Sequence, residues 1–194
     1  MRSYLRRGLR GDARLLASWA SEGGVTGASV LDVGGGVGAI QADLIRAGAE
    51  RGTVVDVVPA YSRFARELAE RIGVEAKTTF VVADIAHDPD AVDAADVVAL
   101  RRVVCCSPYG PALLGVAALL TRRVLVVSYP RRAKPIRVAA WAQNVVFALL
   151  RRDFRVYIHE PATLAAAAGA SGLRRTRVHV GLIWESAAFE PQVS

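Results

Sequence analysis

Short apolar runs alternate with stretches of helical apolar spacing along most of the chain. Val30 to Val33 reads as a buried strand, and Ala39 to Ala47 as a helix with apolar positions at Ile40, Leu44 and Ile45. Thr53 to Val58 is β-branched and reads as the second strand. Pro59 suits a first helical turn, and Phe64, Leu68 and Ile72 form a stripe closed by Gly73. Further strands are expected at Thr78–Ala83, Asp96–Val104 and Val124–Tyr129, the last closed by Pro130. Helices are expected from Pro111 to Leu120, from Ile136 to Leu150 and from Ala162 to Ala170, with Gly172 as a C-cap signal. Two strands, about Leu173–Val180 and Leu182–Phe189, close the chain as a hairpin. Strands alternating with helices predict an α/β fold around a seven-stranded sheet. Ahead of the first strand, Leu5, Leu9, Leu15, Leu16 and Trp19 alternate with arginines, and Gly8 and Gly11 interrupt them. This segment predicts one or two amphipathic helices packed on the sheet edge.

At 194 residues, one domain over 1–194 is expected. A hydrophobic content of 53% and a mean hydropathy of +0.29 exclude a disordered chain. The net charge of +7 comes from 23 Arg and only 2 Lys, scattered in pairs without a basic tract. It reads as compositional bias, so no specific nucleic-acid partner is expected. The cysteines, Cys105 and Cys106, are adjacent, which disfavours a disulfide between them and fits a reducing, cytoplasmic setting. Three histidines and no Cys/His cluster give no metal site. No apolar signal core opens the chain.

The chemistry gathers at the glycine turn. Gly34, Gly35, Gly36 and Gly38 follow the first strand and precede a helix, whose start offers unpaired N–H groups. Gly34, Gly36 and Ala39 fit the dinucleotide spacing, but Asp32 precedes them, where a carboxylate repels a pyrophosphate and suits a cationic amino group. Asp56 lies twenty residues past Gly36, at the end of the second strand, where an acid accepts ribose hydroxyls.

The run D-x-G-G-G-x-G from Asp32 to Gly38 resembles motif I of the class I S-adenosylmethionine-dependent methyltransferases. Asp84, directly after the third strand, resembles that family's adenine-reading acid, with Ile85 beside it. The tail, H-x-P followed by A-G-x and G, is similar to that of the small-molecule methyltransferases of the magnesium-protoporphyrin group. The resemblance implies a Rossmann-like sheet, mostly parallel with an antiparallel C-terminal strand and helices on both faces. It implies S-adenosyl-L-methionine as cofactor and S-adenosyl-L-homocysteine as product. Asp32, Gly34, Gly35, Gly36, Gly38, Asp56, Val57, Asp84, Ile85 and Arg101 would then hold the cofactor. Residues 1–24 would form a lid, in which Tyr4 is a weak candidate.

On the acceptor side, the residues after the fourth strand, Arg101 to Tyr109, are the expected floor. Cys106-Ser107-Pro108-Tyr109 lacks the D/N-P-P-Y/F of amino-directed enzymes. The resemblance makes 131–152 an inserted cap helix over the acceptor. Its apolar excess, including Trp141 and Phe147, would meet a largely apolar small molecule, favouring O-methylation. Tyr109, Tyr129, Trp141 and Phe147 are the candidate acceptor residues and His159 the candidate base; a carboxylate acceptor needs none. The same helix would equally serve a homodimer or a membrane interface. A cofactor-binding cyclase or interaction subunit and a nucleic-acid methyltransferase stay open as alternatives, and Asp32 disfavours an NAD-linked reductase.

Overall fold

A computed structural model describes residues 2–192. The strands are β1 (Ser29–Val33), β2 (Arg51–Asp56), β3 (Thr78–Val82), β4 (Ala95–Arg101), β5 (Thr121–Pro130), β6 (Leu173–Val180) and β7 (Trp184–Pro191). They form one sheet in the order β3-β2-β1-β4-β5-β7-β6. β1 to β5 are parallel, and β7 runs antiparallel to both β5 and β6. The Rossmann-like class expected from the sequence is therefore the observed one.

The helices are α1 (Arg2–Arg7), α2 (Asp12–Ser21), α3 (Ala39–Arg46), α4 (Pro59–Ile72), α5 (Gly110–Leu119), α6 (Lys134–Leu149) and α7 (Pro161–Ala170). Chain order explains the layers. β1 to β3 step one way from the centre and β4 and β5 the other, so right-handed crossovers put α3 and α5 on opposite faces. One core joins α5 and α7 to the sheet through Leu114, Leu164 and Phe189. The other packs α2 and α3 onto Val97, Ala99, Val124 and Val126. Gln41, almost fully buried on α3, finds its partner in Thr78, whose hydroxyl accepts from Nε2 at 3.0 Å. At the same end of the strands, Asp96 accepts from the backbone N–H and hydroxyl of Ser29 at 2.8 and 2.7 Å, tying β1 to β4.

Several expected boundaries move. β2 ends at Asp56 because that side chain turns the chain, accepting the Val58 N–H at 2.9 Å. β4 stops at Arg101, because Arg102 takes a left-handed φ of 58° and a 3-10 turn follows at Val104–Cys106. β7 begins at Trp184 rather than Leu182, since the hairpin turns on Gly181, which donates to the Trp184 carbonyl at 2.9 Å.

The N-terminal segment departs further. α2 lies across the sheet's interior strands, not its edge: Ala13, Leu16, Ala17 and Ala20 are buried against β4, β5 and β7. α6 departs the other way. Sixteen residues long, it buries none of them. No described helix is long and apolar enough to cross a membrane.

Candidate functional site

The carboxyl ends of β1, β2 and β4 open into two adjoining hollows that share Gly34, Asp56 and Tyr61. The first, about 450 Å³, is bounded by Asp32, the Gly34–Gly36 turn and Arg101, with Tyr4 and Leu9 reaching over it from the N-terminal segment. The second, about 460 Å³, is mostly apolar, walled by Val57, Ile85, Val103 and Leu113, with Asp84 among its lining. Such a crevice beyond the strand ends is where open α/β sheets bind ligands.

The turn between β1 and α3 is built for close approach. Gly34 and Gly36 hold φ of 60° and 57°, a region costly for residues with a Cβ. A Cβ at Gly35 would come 2.7 Å from the Asp32 carboxyl carbon, so that carboxyl can sit beneath the turn only because the position is glycine. A Cβ at Gly36 would meet nothing within 4 Å, since it would point into open space.

Asp32 is the electrostatic centre. It is buried, and among the described residues it accepts only the Gln41 N–H, at a long 3.4 Å. Burial raises its pKa to about 7, against the pull of the Gln41 N–H and the Arg101 charge, with the Asp56 charge adding to the rise. Asp56 lies at the rim of both hollows; its two oxygens accept the Gly36 N–H at 3.0 Å and the Val58 N–H at 2.9 Å. Each oxygen keeps a further lone pair. Asp84 is fixed by the Ala86 N–H at 3.0 Å and by His87 Nδ1 at 2.9 Å.

Of the expected cofactor residues, the structure brings Asp32, Gly34, Gly35, Gly36, Asp56, Val57, Asp84, Ile85 and Arg101 to the two hollows. Gly38 does not line them; it caps α3 at φ 70°, where a Cβ would come 2.8 Å from Val54. Tyr4, the weak lid candidate, lines the first hollow, its hydroxyl donating to Asp43 at 3.2 Å.

The acceptor expectations fare differently. Tyr129 is a core residue, 2% exposed, its hydroxyl donating to Glu185 at 2.8 Å, and it faces neither hollow. Tyr109 is 66% exposed and lines neither of the two hollows. His159 spends its Nε2 on two backbone carbonyls, Val104 and Ser107, each at 3.0 Å. α6 does not cap the crevice: Trp141 is 67% exposed, and Phe147 reaches the site only through an edge contact with Phe154, a wall residue of the second hollow. Asn144 fixes this arrangement, exchanging hydrogen bonds of 2.8 Å with the Val156 backbone.

Sequence reasoning missed the group that joins the N-terminal segment to the site. Asp12, at the start of α2, accepts from Arg102 Nε and Nη2 at 2.8 Å, from Arg101 at 3.2 Å and from the Ser128 hydroxyl at 3.1 Å. Burial alone would raise its pKa, but the Arg102 and Arg101 hydrogen bonds outweigh it and hold the carboxyl low. The signal was present: Asp12 is the only acid in the first 21 residues, amid five arginines. Arg102 also stacks on the Trp184 ring at 4.2 Å. Together with Leu15, Leu182 and Ile183, these residues border a third hollow of about 450 Å³. The two cysteines remain free, both thiols directed to the Arg102 carbonyl at 3.4 Å.

Residues 30–122 match the family model described as a methyltransferase domain. No curated protein matches the sequence. Among solved structures, the fold is similar to a Synechocystis magnesium protoporphyrin IX methyltransferase with bound S-adenosylhomocysteine: 20% identity, TM-score 0.75, 93% of this chain and 82% of that one. It is also similar to an O-methyltransferase family 2 protein from Planctomyces limnophilus in complex with apigenin: 19% identity, TM-score 0.73, 98% and 60%. A mitomycin 7-O-methyltransferase gives 21% identity and TM-score 0.65, covering 98% and 57%. This chain thus spans about 60% of the length of the last two.

The residues fit S-adenosylmethionine: a buried carboxylate short of partners faces the first hollow, the Gly36 turn leaves space a Cβ would fill, and the buried Arg101 Nε lacks a partner. Asp32 would take its ammonium group, Asp56 its ribose hydroxyls and Asp84 its adenine. The family match runs from β1 through the glycine turn and both acids to the start of β5, and it marks residues 30–122 as a methyltransferase domain on the fold of the S-adenosylmethionine-binding enzymes.

Proposed function

We propose that this enzyme methylates an oxygen, already ionised near neutral pH, on a small and largely apolar acceptor bound in the third hollow. The carrying observation is that hollow's position and lining. It lies beside Arg102 at the carboxyl ends of β4 and β5, on the far side of that residue from the second hollow. Leu15, Leu182, Ile183 and Trp184 supply an apolar wall, and the volume suits a drug-sized ligand.

When bound, the cofactor supplies a methyl group on a cationic sulfur, already activated toward a nucleophile. The protein's share is then alignment and exclusion of water. α1, α2 and the link between them cover the first hollow through Tyr4, Ala13 and Leu9. The Arg102 guanidinium, paired with Asp12 and stacked on Trp184, stands in the wall of the third hollow. That charge favours an acidic oxygen, such as a carboxylate or an acidic hydroxyl. His159 is not needed as a base in this reading. His179, on the rim of the third hollow, is the alternative group for a weakly acidic hydroxyl. The free thiols of Cys105 and Cys106 fit a cytoplasmic setting.

The test is a transfer assay with labelled S-adenosylmethionine against apolar carboxylates, phenols and amines of similar size. Oxygen acids should be methylated, and Trp184→Ala should raise the acceptor KM at least about tenfold, the scale of losing about 1.4 kcal/mol of binding, with unchanged S-adenosylhomocysteine affinity. Turnover of the amines alone would overturn the reading.

A further inference from the structure

The outward face of α6 is continuous and apolar. Val138, Trp141, Val145 and Leu149 recur at helical spacing and are 63%, 67%, 39% and 78% exposed. Asn144 and Phe147, on the opposite side, hold the helix to the segment that returns to the sheet. The stripe is therefore turned away from the crevice, and none of the described residues covers it. Contiguous exposed apolar surface of this kind marks an interaction site.

Charge decides the occupant. Arg131, Lys134 and Arg137 stand at the start of the helix, where Arg132 is paired with Glu160 at 2.6 Å, and Arg151, Arg152 and Arg155 follow its end, against one acid in that stretch, Asp153. Two copies paired about a twofold axis perpendicular to α6 would bring arginines against arginines, since antiparallel helices place each start beside the partner's end. An apolar face flanked by cations at both ends instead matches a lipid surface with anionic headgroups, as interfacial helices do. The placement is coherent with the site: α6 follows the carboxyl end of β5, and its Phe147 touches Phe154 on the wall of the second hollow.

We infer that α6 docks the protein on an anionic lipid bilayer, lying in its interface. This does not depend on the acceptor chemistry. Sedimentation of the full chain with phosphatidylcholine vesicles, with and without phosphatidylglycerol, tests it. Binding is expected to the anionic vesicles, with a blue shift of fluorescence that Trp141→Phe removes. Val138→Asp with Leu149→Asp should abolish binding while leaving S-adenosylhomocysteine affinity intact, because neither residue lines the cofactor hollows. Arg137→Gln and Arg152→Gln should each weaken binding about fivefold. Equal binding by the double aspartate variant would overturn the proposal. So would a failure to bind vesicles, with or without a solution dimer that Leu149→Asp splits.

Discussion

α2 and α6 look alike in sequence and end in opposite environments. Both mix apolar residues with arginine-rich flanks; the first reads as an amphipathic segment packed on the sheet and the second as an apolar cap inserted after it. α2 buries Ala13, Leu16, Ala17 and Ala20 against β4, β5 and β7. α6 buries none of its residues. The difference lies in what fixes each helix. α2 carries small residues on its inner face, which let it lie close to the sheet, and Asp12, which finds two guanidiniums and a hydroxyl at the strand ends. α6 carries Asn144 as its tether and directs its larger side chains outward. Apolar periodicity alone says that a face will be covered; the polar anchors determine which face turns inward.

The largest test of this contrast is Asp12→Ala. The Asp12 side chain is 6% exposed, and its removal leaves Arg101 and Arg102 without their counter-charge. Breaking such a buried pair costs about 3–5 kcal/mol, somewhat less here because the arginines are partly exposed. Chemical denaturation should show a large fall in stability, and the first hollow should lose affinity for S-adenosylhomocysteine as α2 loosens. Leu149→Ala, 78% exposed, should change stability by less than about 0.5 kcal/mol. Equal losses from the two would mean that α2 is no better anchored than α6.

The parts of the site legible in sequence are those carried by local pattern. The glycine turn, Asp32, Asp56 and Asp84 lie within a few residues of strand ends, so spacing along the chain fixes their place at the crevice. Tyr129 shows where that logic stops. It too ends a parallel strand, but β7 pairs alongside and Glu185 takes its hydroxyl, so it is sealed in. Asp12, Arg102 and Trp184 meet only because residues far apart in the chain converge, and no local period records that. Arg102's left-handed backbone was likewise invisible, because arginine rarely adopts it.

A second, smaller effect separates the two helices through pH. Asp32 sits in the hollow that α1 and α2 cover, with a pKa of about 7 in place of the ordinary 3.8. The sign follows from burial: the folded, ligand-free protein binds the proton more tightly than the unfolded chain does. Its stability contribution from this group is fully present below about pH 4 and is lost as pH rises toward 7. Ligand affinity runs the other way, because the ammonium group of S-adenosylhomocysteine needs the carboxylate. Calorimetric titration should find affinity falling about tenfold per pH unit below 7 and levelling above it. Asp32→Asn should flatten the profile at weak affinity. Val138→Asp with Leu149→Asp on α6 should leave it untouched; a shifted profile there would tie α6 to the cofactor hollow.

The smallest expected effect is at His159, where the chain returns from α6 to the sheet. Its Nε2 lies 3.0 Å from the carbonyls of Val104 and Ser107, so the proton resides on that nitrogen and is donated to both. This bridge secures the loop after β4, and Tyr157 stacks on the ring at 6.3 Å between centroids. A general base must lie within reach of the acceptor's proton, and loss of one typically costs about a hundredfold or more in rate. A structural donor predicts something different. His159→Gln keeps an N–H for one of the carbonyls, so stability should fall by only about 1 kcal/mol, while kcat and its pH profile stay as they were. A hundredfold fall in kcat with unchanged stability would return His159 to the reaction and make the return from α6, rather than α2, the segment that reaches the acceptor.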